Sequence, residues 1–401
     1  MSQIESPSRI EPCGIEPVSS AVSNLVAELI SESAALGNRL HPRSASSLSH
    51  LIGLMNCYYS NLMEGHHTRP KDIERALNNE LDVDPRRRDL QIEARAHVRI
   101  QQAIEGAFFQ GTLQDPTSPE FVKGTHRSFY EEVPASFLDV PRNDGSHIRM
   151  TPGAFRLLPA HDIQVGRHQP PSSEHVAAFM DYFHQRFAIG RLGKFEKIVA
   201  IAIAHHRFNY IHPFMDGNGR VSRLMSHAMV LDAGIGAHGL WSISRGLARG
   251  IEDRSDYRRM MDRADAPREH DTDGRGNLSQ RALTEFVEWF LRVALDQVAI
   301  MRRLFDLGVL SERLRNYVDD ELRIPGGGGH VVAEVFRMGT VSRGEATRKF
   351  GKSERAGRDA LRQLLNHGIL GSDTPKGDVH VVFSAASAEH LFPQLFPADA
   401  G

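Results

Sequence analysis

The feature that most constrains the fold is an apolar periodicity typical of α-helices, which recurs along most of the chain. In residues 44–64, apolar side chains return every three or four positions, and Gly65 then supplies a helix stop. This stretch is predicted to be one helix that ends near Glu64. The body of the protein is therefore predicted to be mainly α-helical. Comparable patterns predict helices over residues 22–30, 71–79, 87–110, 120–129, 174–187, 194–208, 221–233 and 278–322.

Two segments of the chain lack this pattern. Residues 1–20 are rich in Ser, Pro and Glu and contain few clustered apolar residues, so a loose leader is predicted there. Residues 151–171 contain short apolar stretches, two glycines and four prolines, which favours a β-hairpin or flap. The edge of such a flap is a place where a peptide substrate could dock.

Overall composition excludes several classes of protein. Lys and Arg number 48 against 50 Asp and Glu, so the formal charge of −2 gives no general attraction to nucleic acid or to anionic membranes. The two cysteines, Cys13 and Cys57, lack the spacing of a zinc site or of a disulfide framework, which favours a reducing cytoplasm. No stretch reaches the roughly 18 apolar residues that span a bilayer, and no signal peptide is recognisable, so we expect neither membrane insertion nor secretion.

The pattern changes towards the C-terminus. A glycine run at residues 326–329 interrupts the helices. Three short helical patterns follow over residues 330–337, 342–350 and 353–367. Two β-like runs around a turn come next, which completes the order of a winged helix-turn-helix.

The length of the chain, 401 residues, allows more than one domain. We predict an N-terminal leader and first helical segment at residues 1–40. A central domain is predicted at 41–310 and includes the helix at 44–64. The winged-helix-like module is predicted at 311–395.

Basic residues outnumber acidic ones on the second and third helices of this module. Contact with the DNA backbone is one interpretation, and protein docking or dimerisation is another, because winged helices serve in all of these roles. An ordinary solvated helix face with scattered basic residues has the same composition. The residues concerned are Arg343, Arg348, Lys349, Lys352, Arg355, Arg358 and Arg362, against Glu345, Glu354 and Asp359.

Residues 212–223, HPFMDGNGRVSR, form the most informative candidate for a functional site in the chain. Gly217 and Gly219 let the backbone approach a ligand closely, and the N–H groups in the first turn of the following helix can then bind an anion. Arg220 and Arg223 share one face of that helix, where positive charge opposes the helix dipole unless an anion is bound. These features predict a phosphate-binding cradle.

Two further side chains of this run suit a reaction at phosphate. Asp216 offers a hard oxygen ligand of the kind that Mg²⁺ shares with substrate phosphates. His212 titrates near neutral pH and is a candidate general base that accepts a proton from an attacking hydroxyl. Taken singly, each residue also has a structural interpretation, since Asp216 or Asn218 could cap a helix and a lone histidine could be structural.

The same run matches every specified position of the signature His-Pro-Phe-x-Asp-Gly-Asn-Gly-Arg-x-x-Arg, and the chain resembles the Fic family over residues 40–310. The resemblance implies a Fic-type helical bundle with a small β-hairpin flap. It also implies a role for each matching position. His212 would activate a Ser, Thr or Tyr hydroxyl, Asp216 would hold Mg²⁺, Gly217, Asn218, Gly219 and Arg220 would bind phosphates, Arg223 would bind the γ-phosphate of ATP, and Tyr257 would lie near the adenine.

The activity that the resemblance implies is the transfer of AMP from ATP to a protein hydroxyl. The hydroxyl would attack the α-phosphate in line and expel pyrophosphate, with charge stabilised by Mg²⁺, backbone N–H groups and arginine. Relatives that transfer phosphate instead carry Lys in place of Gly219, so Gly219 favours AMP transfer. The target would be a protein with a Ser, Thr or Tyr hydroxyl, and the enzyme itself is one candidate.

Other functions stay open at this point. The chain could be a DNA-binding regulator in which the Fic domain senses nucleotide, and a salt-dependent affinity for DNA would favour that alternative. It could also be a Fic enzyme that transfers a phosphoryl group or removes AMP. The sequence leaves open whether the protein forms a homodimer.

A second resemblance to the family lies at the end of the helix predicted over residues 44–64. Residues 60–65, SNLMEG, resemble an inhibitory signature of Ser or Thr, three residues, then Glu followed by Gly or Asn. By itself this pattern is common helix punctuation. Together with the first signature it implies that Ser60 and Glu64 are inhibitory, with Glu64 paired to Arg223 in place of the γ-phosphate. ATP would then bind in a pose unfit for attack.

Overall fold

The computed structural model describes residues 5–142, 145–350, 353–393 and 395–396. Within these residues the chain is mainly helical, with two small antiparallel sheets of two strands each. The α-helices described are α1 Ser20–Gly37, α2 Pro42–Met63, α3 Pro70–Leu77, α4 Pro85–Phe109, α5 Pro119–Glu132, α6 Val176–Phe187, α7 Lys194–Ile211, α8 Asn218–Asp232, α9 Ile243–Arg249, α10 Asp256–Ala264, α11 Gln280–Leu304, α12 Leu307–Asn316, α13 Gly328–Met338, α14 Arg343–Lys349, α15 Glu354–Asn366 and α16 Ala385–Leu391.

The helices α2 to α5 each begin at a proline, one or two residues before the start that apolar periodicity predicts. Proline fits the first turn because an N–H group there has no intrahelical acceptor. Capping side chains reinforce three of these starts, and in α2 the His41 Nδ1 accepts from the N–H of Arg43 at 3.2 Å. Asp84 accepts from the N–H of Arg87 at 3.0 Å, and Ser118 accepts from the N–H of Phe121 at 3.1 Å. The first turns are polar, so periodicity alone misses them.

The helices α7 and α8 form the centre of the core. The middle of α7 is apolar or small on every side, and residues 198–208 are all buried. In α8, residues 218–231 are buried except at Gly219. The helix α8 packs against α7, α4 and α5, while the long helices α1 and α11 pack together. The loop between α7 and α8 is therefore anchored by two buried helices.

The prediction of a loose leader is wrong for residues 5–20, and residues 1–4 lie outside the described part of the chain. Residues 7–10 form a short 3₁₀ helix, and Ile10 is fully buried. The Arg207 guanidinium donates to the Pro12 carbonyl oxygen at 3.0 and 3.2 Å. A few well-placed apolar residues suffice here because the pocket that receives them is built by distant helices.

The hairpin predicted within residues 151–171 lies earlier in the chain. Strand β1, Asp139–Pro141, pairs with β2, His147–Arg149, with Val140 opposite Ile148. Residues 151–171, all of which are described, contain one isolated bridge between Val165 and His168 and a single 3₁₀ turn. Residues 139–149 and residues 151–171 both contain turn residues and short apolar stretches. They differ in whether their backbones pair as strands, which the local sequence does not show.

The C-terminal elements follow the order that the sequence predicts. Helices α13, α14 and α15 are followed by β3, Leu370–Gly371, which pairs with β4, His380–Val381, and Val341 adds one bridge to Val379. Helix α16 then closes the chain. The predicted boundary at residue 311 lies inside α12, whereas the one at residue 41 lies between α1 and α2.

Helix α2 lies between the central helices and the C-terminal elements. It contacts α4, α8 and α9 as well as β4 and α16. The Ser44 hydroxyl donates to the Phe336 carbonyl at 2.6 Å, and the Tyr59 hydroxyl donates to the Leu395 carbonyl at 3.1 Å. Among the helices of the described residues, none is long and apolar enough to cross a membrane.

Candidate active site

The loop after α7 starts with a strained turn at His212, whose backbone is left-handed with φ of 51°. A non-glycine residue in this region costs about 1–3 kcal/mol unless its surroundings stabilise it. The buried Arg156 does so, because its Nε donates to the His212 carbonyl at 2.8 Å and its Nη2 to the Ile211 carbonyl at 3.2 Å. This cation also offsets the partial negative charge at the end of α7. Arg156 therefore fixes the turn that presents His212.

The protonation of His212 follows from its neighbours. Its Nδ1 lies 3.2 Å from the Asn209 carbonyl oxygen, which can only accept, so Nδ1 carries the hydrogen. Burial lowers the pKa of His212 to about 4, so the ring is neutral at physiological pH. Nε2 then keeps its lone pair and can accept a proton.

Asp216 is an exposed carboxylate at the middle of the loop. Its Oδ2 accepts from the Tyr130 hydroxyl at 3.0 Å, and its Oδ1 accepts from the Gly217 N–H at 2.7 Å. The described residues contain no group of three or more His, Cys, Asp or Glu that could hold a metal ion. A cation at Asp216 would therefore take its other ligands from phosphate and water, which suits Mg²⁺.

The side chain of Asn218 closes the loop. Its Oδ1 accepts from the Phe214 N–H at 2.9 Å, and its Nδ2 donates to the Phe214 carbonyl at 2.8 Å. Both polar atoms are thus used within the loop, and contact with a phosphate is left to the backbone N–H of Asn218. The ring of Phe214 is itself stacked on His126, with centroids 3.9 Å apart.

The predicted cradle corresponds to the first turn of α8. The helix starts after Gly217, which has φ of 78°, and the Val221 N–H is the first to donate to the Gly217 carbonyl, at 3.0 Å. The N–H groups of residues 218–220 therefore lack intrahelical acceptors, and groups of this kind can bind an anion. A Cβ atom at Gly217 would lie 2.7 Å from the Tyr130 ring, and one at Gly219 would lie 2.5 Å from Glu64 Oε1.

The two arginines of α8 have different partners. Arg220 is buried and pairs with Glu93 of α4, which is also fully buried. Burial alone would lower the pKa of Arg220, but Glu93 raises it above its ordinary value. Arg223, also buried, donates from Nε to the Ser60 hydroxyl at 2.8 Å and from Nη2 to the Ser60 carbonyl at 3.1 Å and to Glu64 Oε1 at 2.5 Å.

Glu64 caps the C-terminal end of α2, and its side chain is 29% exposed. Burial is the largest single influence and acts to raise its pKa, but the charges of Arg223, Arg220 and His66 and the hydrogen bond from Arg223 together outweigh burial and leave the pKa below its ordinary value. Its carboxylate approaches Gly219 at the start of α8. The structure therefore contains the ion pair between Glu64 and Arg223, with the Glu64 carboxylate beside the first turn of α8.

Tyr257 of α10 is joined to α8 through His205. The Ser226 hydroxyl donates to the Ser222 carbonyl at 2.8 Å, so His205 Nδ1 must donate to Ser226 at 3.0 Å. His205 Nε2 then accepts from the Tyr257 hydroxyl at 2.9 Å. Burial lowers the pKa of His205 to about 3 and raises that of Tyr257 to about 12, so both groups are neutral. The Tyr257 ring lies 6.3 Å from that of Trp289.

Sequence reasoning missed the residues that support the loop from outside it. Arg156 fixes His212, Tyr130 contacts Asp216, Glu93 neutralises Arg220, and His126 donates from Nε2 to the Asp216 carbonyl at 3.2 Å. A charged residue inside an apolar helical pattern, as at Glu93, is a signal that could have pointed to one of them. The others carry no local signal.

Fold and loop together define a class: a mainly helical Fic-type fold with small two-stranded sheets. The chain is similar in structure to a Fic family protein from Desulfovibrio desulfuricans G20, with a TM-score of 0.50 and 18% identity over 91% of this chain and 97% of that one. It is also similar to Fic-1 from C. elegans, with a TM-score of 0.53 and 13% identity over 72% and 73% of the two chains. These likenesses concern the fold.

Sequence comparison assigns the family. Residues 116–230, which include the whole 212–223 run, match the Fic/DOC family. The chain is 34% identical over 82 residues to protein adenylyltransferase Fic of Drosophila erecta and 35% identical over 82 residues to that of Aedes aegypti. Each match covers 20% of this chain and only 16% of the relative. Residues 116–230 therefore belong to the Fic/DOC family, and the chain has distant homology to protein adenylyltransferase Fic, as the motif predicts.

Proposed function

We propose that the protein transfers AMP from ATP to a hydroxyl group of a protein. The observation that carries this proposal is a neutral His212, able to accept a proton at Nε2, on the loop that leads into the free N–H groups of α8. A base beside an anion cradle suits attack by a hydroxyl on a phosphate. The homology to protein adenylyltransferase Fic supports the same reaction.

The residues of the loop and of α8 then each have a role in binding ATP or in the transfer reaction. The N–H groups of residues 218–220 bind phosphate oxygens, and Arg223 binds the γ-phosphate once Glu64 has left it. His212 Nε2 takes the proton of the target hydroxyl as its oxygen bonds to the α-phosphorus. The bond from that phosphorus to the β-bridging oxygen breaks, and its electron pair leaves with pyrophosphate. AMP stays on the target hydroxyl, and the proton stays on His212 until solvent removes it.

Magnesium and ATP complete the proposal. The exposed Asp216 would hold Mg²⁺ together with phosphate oxygens, and Tyr130 and the Gly217 N–H orient that carboxylate. When bound, the cation neutralises charge on the polyphosphate. We place Tyr257 near the nucleoside, since α10 adjoins the α7–α8 pair through His205.

We also propose that Glu64 holds the resting enzyme inactive. Its carboxylate pairs with Arg223 and lies at the start of α8, where the γ-phosphate would bind. Ser60 supports this arrangement by accepting from Arg223 Nε and Nη2. Anything that draws the end of α2 away would free the arginine for ATP.

The experiment uses ATP labelled at either the α- or the γ-phosphate. Wild type, Glu64→Gly and His212→Ala are incubated with Mg²⁺, and label on protein is measured, with self-modification as readout. Glu80→Gly, which alters an exposed glutamate in the turn after α3, is the matched control for Glu64→Gly.

We expect label from α-labelled ATP only, strongest in Glu64→Gly. Label should fall by about 10²–10⁴-fold when His212→Ala is added to Glu64→Gly, because the general base is lost. Glu80→Gly should behave as wild type. Label from the γ-phosphate would instead show phosphoryl transfer, and equal label in wild type and Glu64→Gly would refute the inhibitory role.

A second candidate function, DNA binding, is favoured by one surface of the C-terminal elements. Helix α15 exposes Arg355, Arg358 and Arg362 on one face. Two of them pair with acids of their own helix, Arg358 with Glu354 at 3.0 Å and Arg362 with Asp359 at 2.8 Å. Such exposed pairs contribute little and can be exchanged for phosphates. Lys352 lies outside the described residues.

The test is the affinity for random-sequence duplex DNA as a function of salt, measured by fluorescence anisotropy. A DNA-binding α15 predicts an affinity that falls steeply with salt and is lost when Arg355, Arg358 and Arg362 are all changed to Ala. Affinity unaffected by the three changes would leave protein docking or dimerisation as the role of this surface.

A further inference from the structure

A cavity of about 720 Å³ lies beside α2, which contributes Tyr58 to its wall. Its walls come from residues 67–72 at the start of α3, from residues 82–91 at the start of α4, and from residues 385–396 at the end of the chain. Residue 394 lies outside the described part of the chain, and the residues that line the cavity are all described. A volume of this size falls in the range of small-molecule sites.

One hydroxyl group in the wall has no partner. Thr68 is 4% exposed, and its Oγ1 is buried without a hydrogen-bond partner among the described residues. A buried polar group left unsatisfied is unfavourable, and native structures contain few of them. If the Thr68 side chain turned towards the cavity, a polar atom of a ligand there would satisfy its hydroxyl.

One cation of the wall has no ionic partner. Each of the three carboxylates in the wall pairs with a cation, one of them with Arg75 outside the wall, whereas the side chain of Arg69 has no ion pair or hydrogen bond within the described residues. An uncompensated guanidinium beside an unsatisfied hydroxyl is suited to an anion. The three pairs are Lys71 with Glu389 at 2.9 Å, Arg75 with Asp72 at 3.5 Å and Arg87 with Asp82 at 3.9 Å.

The rest of the wall is apolar and aromatic. Tyr58, Phe392 and Phe396 all face the cavity, and the rings of Tyr58 and Phe396 lie 5.8 Å apart in a T-shaped arrangement. Leu90 adds an aliphatic side chain. Aromatic rings of this kind pack against a planar apolar group.

The wall of the cavity includes residues from the C-terminal elements and residues on both sides of Glu64 in the sequence. Tyr58 and His67 of the wall lie on either side of Glu64 in the sequence. The Ala385 N–H donates to the Glu74 carboxylate at 3.1 and 3.2 Å, so α16 is anchored on α3. An occupant would therefore contact α2, α3 and α16 together.

We propose that this cavity binds a small anion with an aromatic ring, whose acidic group contacts Arg69 and Thr68. Binding there alters how firmly Glu64 pairs with Arg223, which makes the cavity a regulatory site. The regulatory half rests on the proposed AMP transfer, whereas the binding half does not.

The probes are anilinonaphthalene sulfonate, an aromatic anion, and phenylnaphthylamine, the same ring system without the sulfonate. Each is titrated by fluorescence into the full-length protein. Variants are Arg69→Gln and Thr68→Val, and Arg303→Gln, an exposed arginine of α11 outside the cavity, is the matched control. Thermal unfolding of each apo variant is measured in parallel.

We expect saturable binding of one sulfonate probe per chain, about tenfold weaker in Arg69→Gln, since one charged hydrogen bond is lost. Thr68→Val should weaken it severalfold without lowering the melting temperature, because it removes an unsatisfied hydroxyl. Arg303→Gln should bind as wild type, and the neutral probe should bind Arg69→Gln and wild type alike. Equal sulfonate affinity in Arg69→Gln and wild type, or no saturable binding, would overturn the site.

The regulatory half is tested by AMP transfer at saturating sulfonate probe. We expect the activity of wild type to change at least threefold. The activity of Glu64→Gly should stay constant, because the inhibitory carboxylate is already absent from that variant. Equal changes in both, or none in either, would overturn the regulatory half. An inactive Glu64→Gly would refute the proposed AMP transfer and the regulation that rests on it, while the titrations still decide the site.

Discussion

Two carboxylates reach the start of α8 from different helices, and their surroundings differ. Glu93 comes from the middle of α4, is fully buried and pairs with Arg220, whereas Glu64 comes from the end of α2, is 29% exposed and pairs with Arg223. A buried carboxylate cannot leave without stranding its partner in a medium of low dielectric constant. A carboxylate at a solvent-facing helix end can be exchanged for another anion. The pair of Glu93 with Arg220 therefore stabilises the fold, and the pair of Glu64 with Arg223 can serve as a switch.

The largest expected effect is a difference in stability between variants of the two ion pairs. Glu93→Gln should lower the free energy of unfolding by about 3–5 kcal/mol, because Arg220 is left as an unpaired buried charge. Glu64→Gln should lower it by at most about 1 kcal/mol, because solvent reaches that pair. Urea unfolding of both variants measures the difference. Losses of similar size would break the comparison.

The next largest expected effect is on the affinity for ATP when the pair of Glu64 with Arg223 is broken. Glu64→Gly should tighten the binding of MgATP about tenfold, since a competing carboxylate is removed from Arg223 and from the space beside Gly219. Glu80→Gly should leave the Kd unchanged. Isothermal titration calorimetry is the measurement. An unchanged Kd in Glu64→Gly would show that Glu64 does not occupy a place that ATP needs.

A smaller effect is expected at Ser60. Ser60→Ala removes the hydroxyl that accepts from Arg223 Nε, but the Ser60 carbonyl and Glu64 still accept from Nη2. The loss of about 1 kcal/mol should raise the initial rate of AMP transfer severalfold, less than Glu64→Gly does. A rate equal to that of Glu64→Gly would mean that the hydroxyl, rather than the carboxylate, holds the arginine.

The smallest effect is on the pH dependence of stability. The pKa of Glu64 is lowered from 4.5, because the charges of Arg223, Arg220 and His66 and the hydrogen bond from Arg223 together outweigh the effect of burial. A carboxylate of this kind stabilises the folded state above its unfolded pKa, and the contribution is lost as the pH falls through the lower folded pKa. Wild type should therefore exceed Glu64→Gln in unfolding free energy at neutral pH, and the excess should disappear in acid. A difference that persists in acid would contradict the assignment.

The sequence predicted the local structure around the site well. The helix at 44–64 and the helix after residue 220 follow from apolar periodicity and from glycine stops, which are properties of neighbouring residues. The hairpin predicted within residues 151–171 and the loose leader predicted for residues 5–20 are both wrong. Both errors concern segments whose conformation depends on what they pack against, since strand formation and burial are set by tertiary partners.

What the sequence determined by itself is the run at 212–223 and the placement of Glu64 at a helix end, because both lie within one short stretch of chain. Only the tertiary structure decided which partners surround them. Arg156 reaches His212 from 56 positions away, Tyr130 reaches Asp216 from 86, and Glu64 and Arg223 meet across 159. Periodicity shows which face of a helix is buried but not which helix covers it. Contacts between distant residues depend on how all the helices pack at once.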